Sequence, residues 1–166
     1  CVFGTFDKEF EDMDIVKLEK PTRAPQFMNR LKLTLWEATE VHLKNGVLLA
    51  VCCDMGIFGK VLHIFYDKRT HKVYCWDTNL KSKDTTIAPN LINGSVAQAT
   101  TDVGQIKYVN NFDKGRCCLC GKHKSDKAQI EYDFELTRLS KPSVVSIPFG
   151  KNRPLYSQKD FFTAKG

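Results

Sequence analysis

Regular alternation of apolar and polar residues is the strongest pattern in the chain, and it predicts β-strands. The clearest case is Lys127–Arg138, where apolar residues take every second position: Ala128, Ile130, Tyr132, Phe134 and Leu136. A period of two turns one face of a strand towards a core and the other towards solvent. We therefore expect Glu131, Asp133 and Glu135 to lie on a solvated sheet face.

Continuous apolar runs and shorter alternating segments predict further strands. These segments are Leu31–Val41, Gly46–Asp54, Lys60–Tyr66, Val73–Thr78, Leu91–Ala99, Ile106–Phe112, Ser143–Pro148 and Tyr156–Thr163. Polar turns such as Asp67–Lys72 separate them and favour hairpins, while a short helix before Trp36 is an alternative reading of the first segment. Eight to ten short strands and few short helices predict an all-β fold, an antiparallel β-barrel or a curved β-sandwich.

The 166 residues divide into two parts by pattern. Residues 1–25 contain Pro21 and Pro25 and predict an extended N-terminal arm, because proline disfavours a helix at and before its position. Residues 26–166 predict a single β-rich domain, in keeping with ordinary domain sizes.

Charge and hydropathy exclude several classes of protein. The longest apolar run, Val47–Cys53, is far below the ~18 residues that a membrane span requires, and no signal peptide is recognisable. The net charge is +6, with a basic excess in residues 138–166 that we interpret as a solvated face; an anionic ligand or membrane surface is the alternative. Signatures of nucleic-acid binding are absent, so no nucleic-acid partner is predicted.

Seven cysteines predict reduced thiols and a cytoplasmic location. The number is odd, and the adjacent pairs Cys52-Cys53 and Cys117-Cys118 suit a disulfide framework poorly, because neighbours on a strand point to opposite faces.

The spacing of Cys117, Cys120 and His123 is that of zinc ligands. A fourth ligand is missing downstream, so we favour a strand end and a turn that use cysteine, and we predict no metal and no cofactor. Phosphate-binding and nucleophile motifs are also absent. His63 lies in an apolar run and is expected to be a hydrogen-bonded core or barrel-lumen histidine rather than a base.

Basic and aromatic residues are concentrated between Pro148 and Phe162. Arg153, Tyr156 and Lys159 could bind an anion or stack on a planar ligand; the alternative is a loop whose aromatic residues plug the end of a barrel.

Several blocks of residues resemble a known family. They are Phe3–Asp7, Leu31–Glu37, Phe65–Thr70 and, most strongly, Pro148–Arg153 with Tyr156, Ser157 and Lys159. Together they resemble the domain-of-unknown-function 2804 family, which is distantly similar to carotenoid hydratase-like proteins built from two lipocalin-like barrels. This chain has Gln158 where histidine is common and Ala164 where proline is common, which weakens a catalytic role there.

The resemblance implies that the chain is the first, lipocalin-like half of a longer two-barrel protein, with the C-terminal half as a partner. We expect it to bind a hydrophobic or amphipathic small molecule in a barrel-like cavity. The expected contacts are Trp36, His63, Arg153, Tyr156 and Lys159. Two alternatives remain: a lyase or hydratase acting on a lipophilic substrate, with His63, Tyr156 or Asp54 as proton donor, and a structural half-domain that docks the C-terminal half.

Overall fold

The computed structural model describes residues 2–17, 23–149 and 154–166, and most of them form antiparallel strands. In chain order the strands are β1 (Gly4–Phe6), β2 (Leu35–His42), β3 (Gly46–Asp54), β4 (Phe58–Asp67), β5 (Lys72–Lys81), β6 (Thr85–Thr86), β7 (Ser95–Thr100), β8 (Gly104–Asn111), β9 (Arg116–Lys124), β10 (Gln129–Arg138), β11 (Ser143–Pro148), β12 (Pro154–Lys159) and β13 (Phe162–Lys165). One helix, α1 (Gln26–Lys32), and three 3-10 turns, Ile15–Lys17, Ser82–Asp84 and Phe112–Lys114, complete the regular structure of these residues.

The strands form three sheets. A four-stranded sheet has the order β2-β3-β4-β5, a six-stranded sheet the order β13-β10-β9-β8-β7-β6, and a three-stranded sheet the order β1-β11-β12. All pairings are antiparallel. The all-β prediction is therefore confirmed. Each sheet keeps two edge strands, so the described residues do not close into one barrel.

The six-stranded sheet packs across the four-stranded sheet at a steep angle. Asn110 of β8 bonds to β2, and Tyr108 of β8 bonds to β3. His123, which faces the start of β8 across the β8–β9 ladder, bonds to β5. Strand β8 of the six-stranded sheet thus crosses the strands of the four-stranded sheet, as in orthogonal sandwich packing.

The core lies between these two sheets. Its most deeply buried aliphatic side chains come from both sheets: Leu48, Val61, Ile106 and Leu119. On β10 the apolar positions face this core and Glu131, Asp133 and Glu135 face solvent, so that prediction is confirmed.

The N-terminal residues pack against the sheets rather than apart from them. β1 pairs with β11, and the Asn90 side chain donates to the Glu11 carbonyl at 3.1 Å. The Arg138 guanidinium, almost fully buried, contacts Glu9 of this segment and Asp160 beyond β12. These contacts attach residues 2–17 to the rest of the domain.

The predicted strand Leu31–Val41 is wrong in its first part. Residues up to Lys32 belong to α1, and the strand begins at Leu35. Pro25 fixes the backbone just before the helix, and Gln26–Lys32 contains no β-branched residue, so nothing local opposes the helical conformation. The alternative of a short helix before Trp36 is the one that the structure adopts.

Two further differences concern β9 and the C-terminus. The Cys117–His123 segment was expected to be a strand end and a turn, yet it lies within the continuous strand β9. The predicted strand Tyr156–Thr163 is two strands, because the chain changes sheet at Asp160, where the carboxylate binds Arg138. Among the described residues no helix has the length and apolarity needed to cross a membrane.

Candidate functional site

A buried hydrogen-bonded chain of four side chains joins the two large sheets. His63 of β4 is fully buried; its Nε2 lies 2.7 Å from the Tyr132 hydroxyl of β10, and its Nδ1 lies 3.1 Å from Nδ1 of His123 on β9. The Nε2 of His123 lies 2.8 Å from the Thr78 hydroxyl of β5. We call these four residues the histidine array.

The histidine array is satisfied when both imidazoles are neutral. With one proton on each ring, Tyr132 donates to His63, His63 donates to His123, and His123 donates to Thr78; the reverse direction serves equally well. Burial, followed by the neighbouring His123, lowers the pKa of His63 to about 4. Burial also lowers the pKa of His123. The prediction that His63 is a hydrogen-bonded core histidine is confirmed.

Two glycines make room for the array. Gly104 lies opposite His123 and Gly121 lies opposite Tyr132 in the strand ladders. A Cβ at position 104 would lie 2.7 Å from the His123 ring, and one at 121 would lie 2.4 Å from the Tyr132 hydroxyl. Each ring therefore lies over a glycine of the neighbouring strand, which fixes its direction towards the opposite sheet.

A second polar cluster lies where β2 crosses β8. The Asn110 amide, fully buried, donates to Glu37 Oε2 at 3.2 Å, and the Cys117 thiol donates to Asn110 Oδ1 at 3.3 Å. Burial raises the pKa of Glu37 to about 7, although the Asn110 hydrogen bond opposes that rise. Glu37 is thus a carboxyl group that changes charge near neutral pH.

A groove of about 630 Å³ opens beside the histidine array. Leu43, in the hairpin that follows β2, contributes to its lining together with Tyr132 and Phe134 of β10. Lys122 and Asp133 add charge to the lining. Tyr132 belongs both to this groove and to the histidine array. His123 lines a smaller groove of about 210 Å³ near the turn before β8, which shares Gln105, Lys122 and Glu131 with the first groove.

The structure does not bring the sequence-predicted contact residues together. Trp36 and His63 lie on opposite faces of the four-stranded sheet: Trp36 is 65% exposed, and His63 is buried in the core. Tyr156 lies on β12 of the three-stranded sheet, half-buried, with its ring centroid 4.7 Å from that of Phe10. Lys159 is exposed at the end of β12, and Arg153 lies outside the described residues.

The other proton donors considered from sequence lie away from the histidine array. Asp54 accepts hydrogen bonds from the Gly56 amide and the Ser82 hydroxyl, so it holds the turn after β3. Burial raises the pKa of Tyr156, and the nearby carboxylates of Asp14 and Asp12 raise it further.

The cysteines on β9 alternate between two environments. Cys117 is buried and faces the core, while Cys118 and Cys120 are exposed, with Cys120 on the face opposite to Cys117. Because three residues on a strand reverse the side-chain direction, Cys117 and Cys120 cannot converge on one ion. Within residues 2–17, 23–149 and 154–166, no group of three potential ligands is placed to hold a metal.

Sequence reasoning missed that His123 and Tyr132 meet His63, and that Asn110 meets Glu37. The available signal was the alternation of Cys117, Leu119, Gly121 and His123 with basic and exposed residues, which identifies β9 as a strand. Comparisons of the chain with protein-family models, with curated protein sequences and with solved structures find no match.

Proposed function

We propose that the protein binds an amphipathic small molecule in the groove between Leu43 and the β10 residues Tyr132 and Phe134. The observation that carries the proposal is the double role of Tyr132. It is one of the residues that line the groove, and its hydroxyl is fixed by His63 at 2.7 Å. A preorganised aromatic wall loses little conformational freedom when a ligand packs against it.

The size and lining of the groove suit a ligand with an apolar body and a polar end. Small-molecule sites commonly enclose ~300–1,000 Å³ and combine apolar walls with a few polar groups. Leu43 and Phe134 offer apolar contacts, and Lys122 and Asp133 offer charged ones. The apolar part of the ligand would lie against the rings, with its polar end near these charges.

The orthogonal arrangement of the two large sheets supports a lipocalin-like architecture as part of the same proposal. Small antiparallel barrels and open sandwiches hold ligands at the mouth between sheets. Kinship with the domain-of-unknown-function 2804 family and a contribution from a C-terminal half remain predictions from the resemblance.

Native mass spectrometry of the gently purified full chain tests this function, with 1-anilinonaphthalene-8-sulfonate fluorescence as a titratable probe. We expect a co-purifying small mass and saturable probe binding. Leu43→Ser should weaken probe binding several-fold. The matched control is Leu139→Ser, a leucine that is 67% exposed and does not line the groove, and it should leave binding unchanged.

Two results would contradict the proposal. Equal probe affinity in the Leu43→Ser and Leu139→Ser variants would remove the groove as the site. Loss of binding in Tyr156→Phe alone would move the site to β12, as the sequence pattern of basic and aromatic residues suggested.

A further inference from the structure

The outer face of the four-stranded sheet is apolar, although the core occupies its other face. In the strand register, Val51 of β3 lies beside Leu62 of β4, and Leu49 lies beside Ile64. Trp36 and Val73 extend this face to the two edge strands and are 65% and 64% exposed. A sheet that is solvated on one face normally alternates apolar with polar residues, and here both faces of β3 and β4 are apolar.

The outer face of the six-stranded sheet shows the contrast. There the cross-strand neighbours are charged: Glu131 lies opposite Lys122, and Lys107 lies opposite Cys120, whose other neighbour is Asp133. The polar partners in that face are those expected for contact with water. Within the described residues, the four-stranded sheet packs on the six-stranded sheet only through its inner face, which carries His63, Ala50 and Thr78.

The apolar surface continues beyond the sheet. Cys53 Sγ lies 3.3 Å from Met55 Sδ in the turn after β3. A Cβ on Gly56 of the same turn would lie 2.6 Å from the Leu31 carbonyl oxygen, so the turn touches the end of α1. Leu31, Phe27 and Ile57 are 50%, 66% and 68% exposed. We call the outer sheet face, this turn and α1 together the apolar surface.

The charges on the sheet part of the apolar surface are paired with one another, and on α1 Arg30 bonds Asp14 while Lys32 adds one positive charge. Lys60 Nζ lies 2.9 Å from Asp77 Oδ2, and Glu40 bonds His42 on the edge strand. The chain carries +6 overall, but this surface presents no unopposed cluster of one sign. A second copy approaching it therefore meets little like-charge repulsion, whereas a strongly charged partner would find no complementary field.

The area suits a second copy in a weak complex. Four strands ~4.8 Å apart and about seven residues of ~3.3 Å each give a face of about 19 by 23 Å, or about 440 Å². With the turn and α1 the area buried by two copies reaches roughly 1,000 Å², at the lower limit of specific interfaces.

We propose that two copies of the chain associate through the apolar surface, with the outer faces of the two four-stranded sheets packed about 10 Å apart. The contact is isologous, because the same surface serves both copies. Its small area makes the dimer dependent on concentration. The groove beside Tyr132 is lined by the six-stranded sheet, Leu43 and Gly166, none of which belongs to the apolar surface, so the dimer and the proposed ligand site are independent.

Sedimentation velocity of the full chain from about 1 µM to about 500 µM tests this proposal. We expect the weight-average mass to rise from monomer towards dimer. Val47→Lys should shift the transition to at least ten-fold higher concentration. The matched control is Val109→Lys: both valines are half-buried on the outer face of a strand, but Val109 belongs to the six-stranded sheet. Trp36→Lys, at an exposed site, provides a second variant that does not disturb the core.

The measurement has clear opposing outcomes. A monomer at every concentration overturns the proposal, even if the surface then binds another segment, lipid vesicles or a separate C-terminal half. A dimer that Val109→Lys dissociates, but that Val47→Lys and Trp36→Lys leave intact, also overturns it. Thermal unfolding of each variant checks that a variant with the mass of a monomer is folded.

Discussion

The Tyr132 ring lies directly over Gly121 of the neighbouring strand, and a Cβ at position 121 would lie 2.4 Å from the Tyr132 hydroxyl. That contact turns the phenol towards His63 on the opposite sheet. A glycine within a strand thus orients the residue that connects the groove to the histidine array.

Gly121→Ala is expected to displace Tyr132 and to break its hydrogen bond to His63. The new methyl group would also press on the Gln105 carbonyl oxygen, 2.8 Å from the built Cβ. We expect a loss of about 2–4 kcal/mol in the free energy of unfolding, measured by urea titration. Tyr132→Phe removes the hydroxyl alone and should cost about 1–2 kcal/mol. If Gly121→Ala lowers the free energy of unfolding by no more than Tyr132→Phe does, the close approach of Tyr132 does not require glycine at position 121.

Acid should weaken the packing between the two large sheets. The pKa of His63 is about 4 in the folded protein and ~6.5 in the unfolded chain, so the unfolded chain binds protons more readily between these values. Stability is therefore full above pH ~6.5 and falls as the pH approaches 4. His63 alone contributes about 3 kcal/mol to this fall.

His63→Gln should flatten that pH dependence, because glutamine does not titrate. His71→Gln is the control, since His71 lies exposed in the turn between β4 and β5. Urea titrations at intervals between pH 4 and 7 give the slope of the unfolding free energy against pH for each variant. A wild-type slope retained in His63→Gln would show that other groups cause the acid sensitivity.

Glu37→Gln should stabilise the protein at alkaline pH. The pKa of Glu37 is raised to about 7 in the folded state, so the folded protein binds this proton more tightly than the unfolded chain does. The contribution is full below pH ~4.5 and is lost between pH ~4.5 and about 7. Glutamine keeps an acceptor for Asn110 without the charge, so its advantage over wild type should grow by about 2–3 kcal/mol between pH 5 and 8.

Glu40→Gln is the matched control for this change, because Glu40 lies exposed on the outer face of the same strand. Unfolding midpoints at pH 5 and pH 8 decide the comparison. An advantage of Glu37→Gln that is constant across this range would contradict the raised pKa.

Arg138→Met is expected to destabilise the protein by about 3–5 kcal/mol. The change leaves the buried Asp160 carboxylate without its guanidinium partner, which donates from Nε at 2.9 Å, and releases Glu9. Arg116→Met provides the comparison, since Arg116 and Glu135 form an exposed pair at 4.0 Å. That variant should change the unfolding free energy by less than about 0.5 kcal/mol. If Arg138→Met and Arg116→Met lowered the unfolding free energy equally, the contacts of Arg138 with Glu9 and Asp160 would not stabilise the fold.

Thiol labelling should distinguish the two faces of β9. Cys118 and Cys120 are exposed, whereas Cys117 is buried and burial raises the pKa of its thiol. Under native conditions we expect Cys118 and Cys120 to react with iodoacetamide and Cys117 to react only after unfolding. Peptide mass mapping reads each site. Labelling of Cys117 together with Cys120 in the native protein would contradict the strand assignment.

The local pattern of the sequence was sufficient for many of the strands. Gly46–Asp54 and Ser143–Pro148 match the observed strand bounds, because apolar, β-branched runs bounded by turn residues favour extended backbone locally. The segment of β9 was predicted only as a strand end and a turn, although Leu119, Gly121 and His123 keep the period of two.

The sequence by itself determined the all-β class, the inward face of β10 and the burial of His63, since each follows from residues that are neighbours in the chain. Only the tertiary structure decided that His63 meets His123 and Tyr132, that Asn110 meets Glu37, and that Trp36 lies on the far side of its sheet. These relationships depend on the angle at which two sheets cross. That angle is set by packing between residues 60 to 73 positions apart, which no local pattern encodes.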